Sequence, residues 1–306
     1  MTGRIVAPDD AGIREAVDLL RAGSVVAFPT ETVYGLGADA FSEKAVAEIY
    51  RLKNRPSWNP LIVHVPDVSV ARSLVAEWPA VADELAARFW PGPLTMVFTR
   101  GDDETIAIRV PAHPVALRLL EVCGRPLAAP SANRSESISP TTAEHVVRSL
   151  PDVPLVLDGG PSSWGIESTV LDLTTDPPTL LRPGALGLRA IRSVTGAIAL
   201  PGDGPADGTA RPSPGMSRRH YAPRARLILT PGVGAADENT GVLAFSGQEG
   251  KNRELLSADP HEYAADFYAA LHRLDDAGVT TIVVQEPPDT EDWLAIRDRL
   301  RRAAAS

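Results

Sequence analysis

Cysteine occurs once in the 306 residues, at Cys123, so no intrachain disulfide can form and the chain offers no set of thiolates for a metal. Lysine is nearly as rare. Lys44, Lys53 and Lys251 are the only lysines among 30 basic residues, and arginine carries the rest. A lysine kept in such a chain points to a place that needs a compact ammonium rather than a planar fork. No stretch of about 18 apolar residues occurs, which argues against a membrane-spanning helix. The opening MTGRIVAPDDAG lacks the apolar core of a secretory signal. The expectation is a soluble, cytoplasmic protein without a membrane partner. Charge of one sign is not concentrated either. Net charge is −9 overall, −5 over residues 1–200 and −4 beyond, so neither part carries the basic footprint of a nucleic-acid binder.

Familiar catalytic and nucleotide motifs are also missing. There is no G-x-x-x-x-G-K-[ST], and Gly250-Lys251 leads only to Asn252. There is no G-x-S-x-G elbow. Gly35 to Ala40 matches G-x-G-x-x-A, but the following helix starts only at Ser42 and no acidic residue follows between Ile49 and Pro66 to hold a ribose. A nicotinamide-dependent oxidoreductase is therefore discounted. The six histidines, His64, His113, His145, His220, His261 and His272, lack metal-ligand spacing, and no metal site is expected.

What the chain does have is alternation of helical and extended segments on both sides of one break. Residues 201–216, PGDGPADGTARPSPGM, hold four Gly and four Pro with no apolar period, the composition of a linker. Three parts follow: a main domain over 1–200, a linker over 201–224 and a small α/β domain over 225–306. In the main domain, helices are expected at 11–22, from Ser42, at 67–76, 79–89, 114–122 and 187–195, with Thr141 and Glu144 as a capping box before TTAEHVVRSL. LTMVF and IAIRV read as a strand pair. Neighbouring strands without helices between them predict a mixed twisted sheet. Beyond the linker, ARLIL, GVLAF and TTIVVQ alternate with two helices, as in a small doubly wound fold.

Four clusters of hydroxyls, amides and cations stand at expected strand ends. The first is FPTETVYGLGAD, with Thr30, Glu31 and Thr32. The second is KNRPSWNPLIVH, in which Lys53 and Arg55 follow a helix and precede a strand. The third is PSANRSESISP, with Ser131, Asn133 and Ser139. The fourth is DGGPSSWGIESTV, with Ser168 and Thr169, followed by Arg182 in LLRPG. Each alone is an ordinary polar loop, and His64 alone is an ordinary core histidine. Together they suit a nucleotide or another polyanion, held for a reaction driven by positioning and charge neutralisation.

In this order the clusters, with WPGPLT at 90–95, IAIRVPAHP and the HYAP segment from His220 to Pro223, resemble the threonylcarbamoyl-AMP synthase family, also called YrdC-like, in its long form. The resemblance covers about residues 10–197. It implies a YrdC-like α/β fold, a twisted mixed sheet with flanking helices, followed by a small Rossmann-like C-terminal domain. It implies the synthesis of L-threonylcarbamoyladenylate and pyrophosphate from L-threonine, bicarbonate and ATP, with Mg²⁺ accompanying the phosphates. A downstream tRNA threonylcarbamoyl transferase complex then uses the product on adenosine 37, so direct tRNA binding is not required. Lys53 and Arg55 would be catalytic. Arg55, Asn59, Thr105, Ser131, Asn133, Ser139, Arg182 and, from the linker, Tyr221 would bind ATP. Thr32, His64, Arg109, Ala129 and Ser168 would bind L-threonine. Asn54 stands where the family commonly has Gly, and Ser217-Arg218 alter the usual lead into HYAP. Other readings are an RNA-binding module without catalysis and a carbamoyl-adenylate-forming enzyme. The first is opposed by the acidic charge of both parts, the second by the lack of extra zinc-finger and acylphosphatase segments.

Overall fold

The computed structural model describes residues 3–101, 104–200, 219–248 and 250–305, so most of the predicted linker, including Ser217 and Arg218, lies outside the described residues. The chain enters through β1 (Arg4–Val6) and α1 (Asp10–Arg21). Asp9 caps this helix by accepting from the amides of Ala11 and Gly12. Its buried Ile13, Ala16, Val17 and Leu20 recur at helical spacing, forming one apolar face. β2 (Val26–Phe28) and β3 (Gly35–Asp39) pair antiparallel. The G-x-G-x-x-A stretch thus begins as a buried strand, not a phosphate-binding turn. Gly37 is glycine for a packing reason: a Cβ there would stand 2.7 Å from the ring of Phe28.

α2 (Glu43–Lys53) starts at Ser42 and ends on Asn54, whose φ of 50° and ψ of 46° are left-handed. Asn is the residue besides Gly that tolerates this C-cap, which accounts for the exchange at position 54. β4 (Ile62–His64), α3 (Val68–Ser73) and α4 (Ala80–Phe89) follow. β5 (Leu94–Gly101) and β6 (Glu104–Arg109) form the expected antiparallel pair. Then come α5 (Pro114–Cys123), β7 (Leu127–Ala128) and α6 (Ala143–Ser149). The expected capping box is shifted by one residue. Thr142, not Thr141, caps α6 by accepting from His145 N, and Thr141 Oγ1 lies 3.3 Å from His145 Nδ1. The competing hydroxyl next door decided the start. β8 (Leu155–Leu157), β9 (Thr169–Asp172), β10 (Thr179–Arg182) and α7 (Leu188–Thr195) complete this part.

Among the described residues, ten strands make one mixed sheet in the order β1-β8-β2-β3-β7-β4-β6-β5-β9-β10. Alternate residues of β2 and β8 point to opposite faces, as the two-residue period of a strand requires. Phe28 and Leu157 join α1 and α5 in one core, while Ala27 and Val156 join α2 in another. β4 and β6 run parallel with His64 beside Arg109, so two future site residues end neighbouring strands.

The remaining chain forms β11 (Arg226–Thr230), β12 (Thr240–Ala244), β13 (Arg253–Leu255), α8 (Pro260–Asp276), β14 (Thr281–Gln285) and α9 (Leu294–Ala304). Its four strands are all parallel, ordered β11-β14-β12-β13. Tyr263, Phe267 and Leu271 of α8 share one hydrophobic core with Val33, Ile138, Ile166 and Ala185 from loops of the large sheet. Gly165 makes this contact possible. Its φ is +69°, and a Cβ there would stand 2.2 Å from the carbonyl oxygen of Ala264.

Candidate functional site

All four polar clusters converge on one cavity of about 50 Å³ between the strand ends and the HYAP segment. Its lining includes Thr32, His64, Arg109, Ala129 and Ser168, which the resemblance assigns to an amino acid, beside Arg55, Ser131, Arg182 and Tyr221, which it assigns to a nucleotide.

Arg109 is 4% exposed. It donates from Nη2 to Glu31 Oε1 at 2.6 Å, from Nη1 to Thr32 Oγ1 at 2.9 Å and from Nε to the Gly92 carbonyl at 3.2 Å. Glu31 also accepts from Ala112 N at 3.0 Å. Thr30 Oγ1 donates to the Val33 carbonyl and lies 2.8 Å from Thr32 Oγ1, so a short Thr turn fixes both hydroxyls. His64 Nδ1 lies 3.2 Å from the Ile62 carbonyl. Burial, with the charge of Arg109, pushes the pKa of His64 down to about 3, so the ring is neutral at pH 7. An apolar-strand histidine is here both part of the core and part of the wall.

Lys53 and Arg55, two residues apart, do different work. The Lys53 ammonium is 1% exposed and donates to the carbonyl of Ser131 at 2.6 Å and to that of Asn133. It clasps the PSAN loop rather than presenting a free charge. Burial and then the neighbouring Arg55 hold its pKa well below the ordinary lysine value. Arg55 lines the cavity, and its Nη2 donates to Asn59 Oδ1 at 2.7 Å and to the Pro60 carbonyl at 2.8 Å. Asn59 therefore orients Arg55 from behind. Asn133 donates to the carbonyls of Arg134 and Ser137, while its buried Oδ1 has no partner among the described residues.

On the other wall, Arg182 donates from Nη2 to the carbonyl of Ser168 at 2.9 Å and to Ser168 Oγ at 3.1 Å. Ser139 does not line the cavity. Its hydroxyl donates to Glu167 Oε1 at 2.6 Å. His220 and Tyr221 close the cavity from the HYAP segment. Both are buried, and His220 Nδ1 and Tyr221 Oη have no partner among the described residues. Tyr221 adopts φ 60°, a left-handed backbone uncommon for an aromatic residue and a frequent mark of functional segments.

Thr105 is exposed near the start of β6 and pairs with Thr99, four residues from Arg109, or about 13 Å along the strand. It does not line the cavity. Glu31 stood in the first cluster without an assigned role, and Glu167, Tyr268 and Arg299 were not legible as site residues. The glutamates lie inside the recognised clusters, whereas Tyr268 and Arg299 come from α8 and α9, far along the chain.

The profile of a family described as "Telomere recombination" matches residues 18–184, and one described as "Threonylcarbamoyl-AMP synthase, C-terminal domain" matches residues 187–305. The chain is 40% identical to the threonylcarbamoyl-AMP synthase of Pyrococcus abyssi, over 95% of this chain and 94% of that protein. It is 42% identical to that of Bacillus subtilis, over 97% and 94%. The crystal structure of Pyrococcus abyssi Sua5 complexed with L-threonine superposes with a TM-score of 0.90 at 38% identity, covering 99% of this chain and 97% of that one. With both profiles matched in order and the relatives matched nearly end to end, the chain belongs to the threonylcarbamoyl-AMP synthase family.

Proposed function

We propose that this chain makes L-threonylcarbamoyladenylate and pyrophosphate from L-threonine, bicarbonate and ATP, the intermediate for the N6-threonylcarbamoyl modification of adenosine 37 in tRNA. One observation carries the reading: a single cavity brings Arg109, Thr32 and His64 next to Arg55, Arg182, Ser131 and Tyr221. An amino acid and a nucleotide thus have adjacent berths. The likeness to relatives of that name, one of them solved with L-threonine, supports the choice of substrate.

The residues suggest how the reaction runs. Arg109, locked by Glu31, presents a preorganised cation to the threonine carboxylate. Neutral His64 and Thr32 Oγ1 meet the hydroxyl. The threonine amine attacks the carbon of bicarbonate (or CO₂ derived from it), forming the N–C bond of a carbamate with loss of water. A carbamate oxygen then attacks the α-phosphorus in line, and pyrophosphate leaves. Arg55 and Arg182 offset the charge that develops on the phosphates, and Lys53 holds the Ser131 and Asn133 backbone in register for the nucleotide. Among the described residues no group of three or more His, Cys, Asp or Glu side chains could hold a metal. Mg²⁺ would be borne by the phosphate oxygens, where it supplies charge neutralisation.

A cavity of about 50 Å³ has room for a few waters, well below the several hundred Å³ of a ligand site. The segment bearing His220 and Tyr221 would therefore lift to admit ATP and settle on it afterwards. The product passes to a tRNA threonylcarbamoyl transferase, so this chain needs no tRNA surface of its own. The setting is cytoplasmic, where ATP and tRNA are both present, and among the described residues no helix is long and apolar enough to cross a membrane.

The test is pyrophosphate release by the pure protein from ATP, with L-threonine and bicarbonate each present or withheld. Release that needs both supports the reading. Release that ignores threonine, or that appears only with carbamoyl phosphate, overturns it.

A further inference from the structure

Glu167 is the only acidic side chain among the described residues that line the cavity. A carboxylate in the wall of a triphosphate site repels the ligand, and the more so where water is excluded. The first opposing charge does not come from the large sheet, whose Arg182 ranks second. It comes from α9: Arg299, with a side chain 0% exposed, donates from Nε and from Nη2 to Glu167 Oε2, both at 3.1 Å. Tyr268 of α8 adds a hydroxyl donor at 3.1 Å to Oε2 and 3.3 Å to Oε1. Arg299 also donates from Nη1 to the carbonyl of Pro183, directly after Arg182. Its guanidinium carbon stands 5.2 Å from the centroid of the Tyr221 ring, within cation–π range. One side chain of the C-terminal part therefore touches three segments that build the cavity, through Glu167, Pro183 and Tyr221.

We propose that Arg299 is a positioning residue for ATP: it neutralises Glu167 from behind, so that Arg55 and Arg182 are left to the triphosphate. This rests on the ATP-dependent reading above. Burial works against the ionised Glu167, and the charges of Arg299 and then Arg182, with the Ser139 hydrogen bond, outweigh it and hold its pKa below the ordinary value. Lys53 is the other cation within its electrostatic reach. Tyr221, Tyr268 and Asp298 are the remaining titratable groups around Arg299. Without Arg299, the buried carboxylate has two outlets. It draws Arg182 closer, taking that charge from the ligand, or it gains a proton. Of the contacts assigned to L-threonine, Arg109, Thr32 and His64 are untouched by either, and Ser168, which accepts from Arg182, is the one shared with it.

The experiment uses the full chain, with Arg299→Met, Arg299→Lys and the double variant Glu167→Gln/Arg299→Met. Calorimetry reads the Kd of ATP and of L-threonine separately at pH 8 and pH 6, and pyrophosphate release reads KM and kcat. Arg299→Met is expected to raise the ATP Kd and KM about tenfold or more at pH 8 with the L-threonine Kd within about twofold of wild type. Arg299→Lys, which keeps the charge but loses the fork, falls between the two. Adding Glu167→Gln restores most of the lost ATP affinity. At pH 6 the Arg299→Met deficit narrows, because an unopposed buried Glu167 takes up a proton. A purely structural role predicts something else: a lower melting temperature and lower kcat through a smaller active fraction, at unchanged KM and with no rescue by Glu167→Gln. That pattern, or an unchanged ATP Kd in folded Arg299→Met, overturns the proposal. If Arg299→Met does not fold, Tyr268→Phe keeps the ring and removes one donor to Glu167. A rise of about two- to fivefold in ATP Kd then supports the proposal, and no rise overturns it. Wild-type protein that releases no pyrophosphate sinks the synthase reading instead, while the ATP Kd of the variants still decides the role of Arg299.

Discussion

Arg109 and Glu31 form an ion pair at 2.6 Å with side chains only 5% and 7% exposed. Such a pair is preorganised before any ligand arrives, and each partner depends on the other for its burial. Glu31→Gln is expected to destabilise the chain by about 3 kcal/mol, read in urea unfolding, by leaving the guanidinium uncompensated. Arg109→Lys should weaken L-threonine binding about tenfold or more, because an ammonium cannot serve Glu31, Thr32 and a carboxylate with one fork. Calorimetry with L-threonine checks it, and unaltered binding removes Arg109 from the amino-acid berth.

A catalytic cation facing the phosphates, the role the resemblance gives Lys53, would be lost in Lys53→Ala with little unfolding. The buried clasp on Ser131 and Asn133 changes that expectation. Removing the ammonium leaves two carbonyls without their donor, a loss of about 2–4 kcal/mol. Turnover should fall about 10²- to 10³-fold through misplacement of the loop. Thermal unfolding and pyrophosphate release on the same preparation separate the two effects.

Tyr221 Oη is buried without a partner among the described residues. A hydroxyl in that state costs stability and is repaid only when a ligand meets it. Tyr221→Phe should leave the melting temperature equal or higher while weakening ATP binding about three- to tenfold. A lower melting temperature with full ATP affinity contradicts a ligand-facing role.

Acid sensitivity follows from the buried histidines. In the folded chain the pKa of His64 is pushed down to about 3 by burial and the charge of Arg109. That of His220 is pushed well below 6.5 by burial and then by Arg55, Lys53 and Arg182. The unfolded chain binds protons at these rings from about pH 6.5 downward and the folded chain does not, so stability falls as pH drops below 6.5. Each ring contributes about 1.4 kcal/mol per pH unit in that window. Urea unfolding at pH 7.5 and pH 5 measures it, and His64→Gln should flatten the slope by about one ring's share.

Gly37→Ala places a Cβ 2.7 Å from the Phe28 ring in the centre of the large sheet. A destabilisation of about 2 kcal/mol is expected from this overpacking, and Phe28→Leu in the same chain should recover part of it. Equal stability of Gly37→Ala and wild type would contradict the close approach.

Helices and strands with a plain period, such as α1, α2, α8 and the β5–β6 pair, were legible because period and caps are local properties. β1 and β13 were not, since each is a sheet edge without a fully buried residue and so carries no apolar run to read. Capping of α6 failed by one residue because two adjacent threonines compete for the same role. Thr105 stands outside the cavity lining because a motif gives order along the chain, and a strand of six residues carries its two ends far apart.

The chain order of hydroxyls, cations and glycines was enough to place the protein in its family and to nominate most of the cavity wall, because those side chains sit at strand ends that the local pattern already marks. It could not show that Lys53 faces carbonyls, that Glu31 holds Arg109, or that Arg299 meets Glu167 from 132 residues away. Those pairings depend on which polar partners the folded core brings within hydrogen-bond reach of each buried charge. A buried charge takes whatever partner packing supplies, however distant in the chain, and only the tertiary structure decides that.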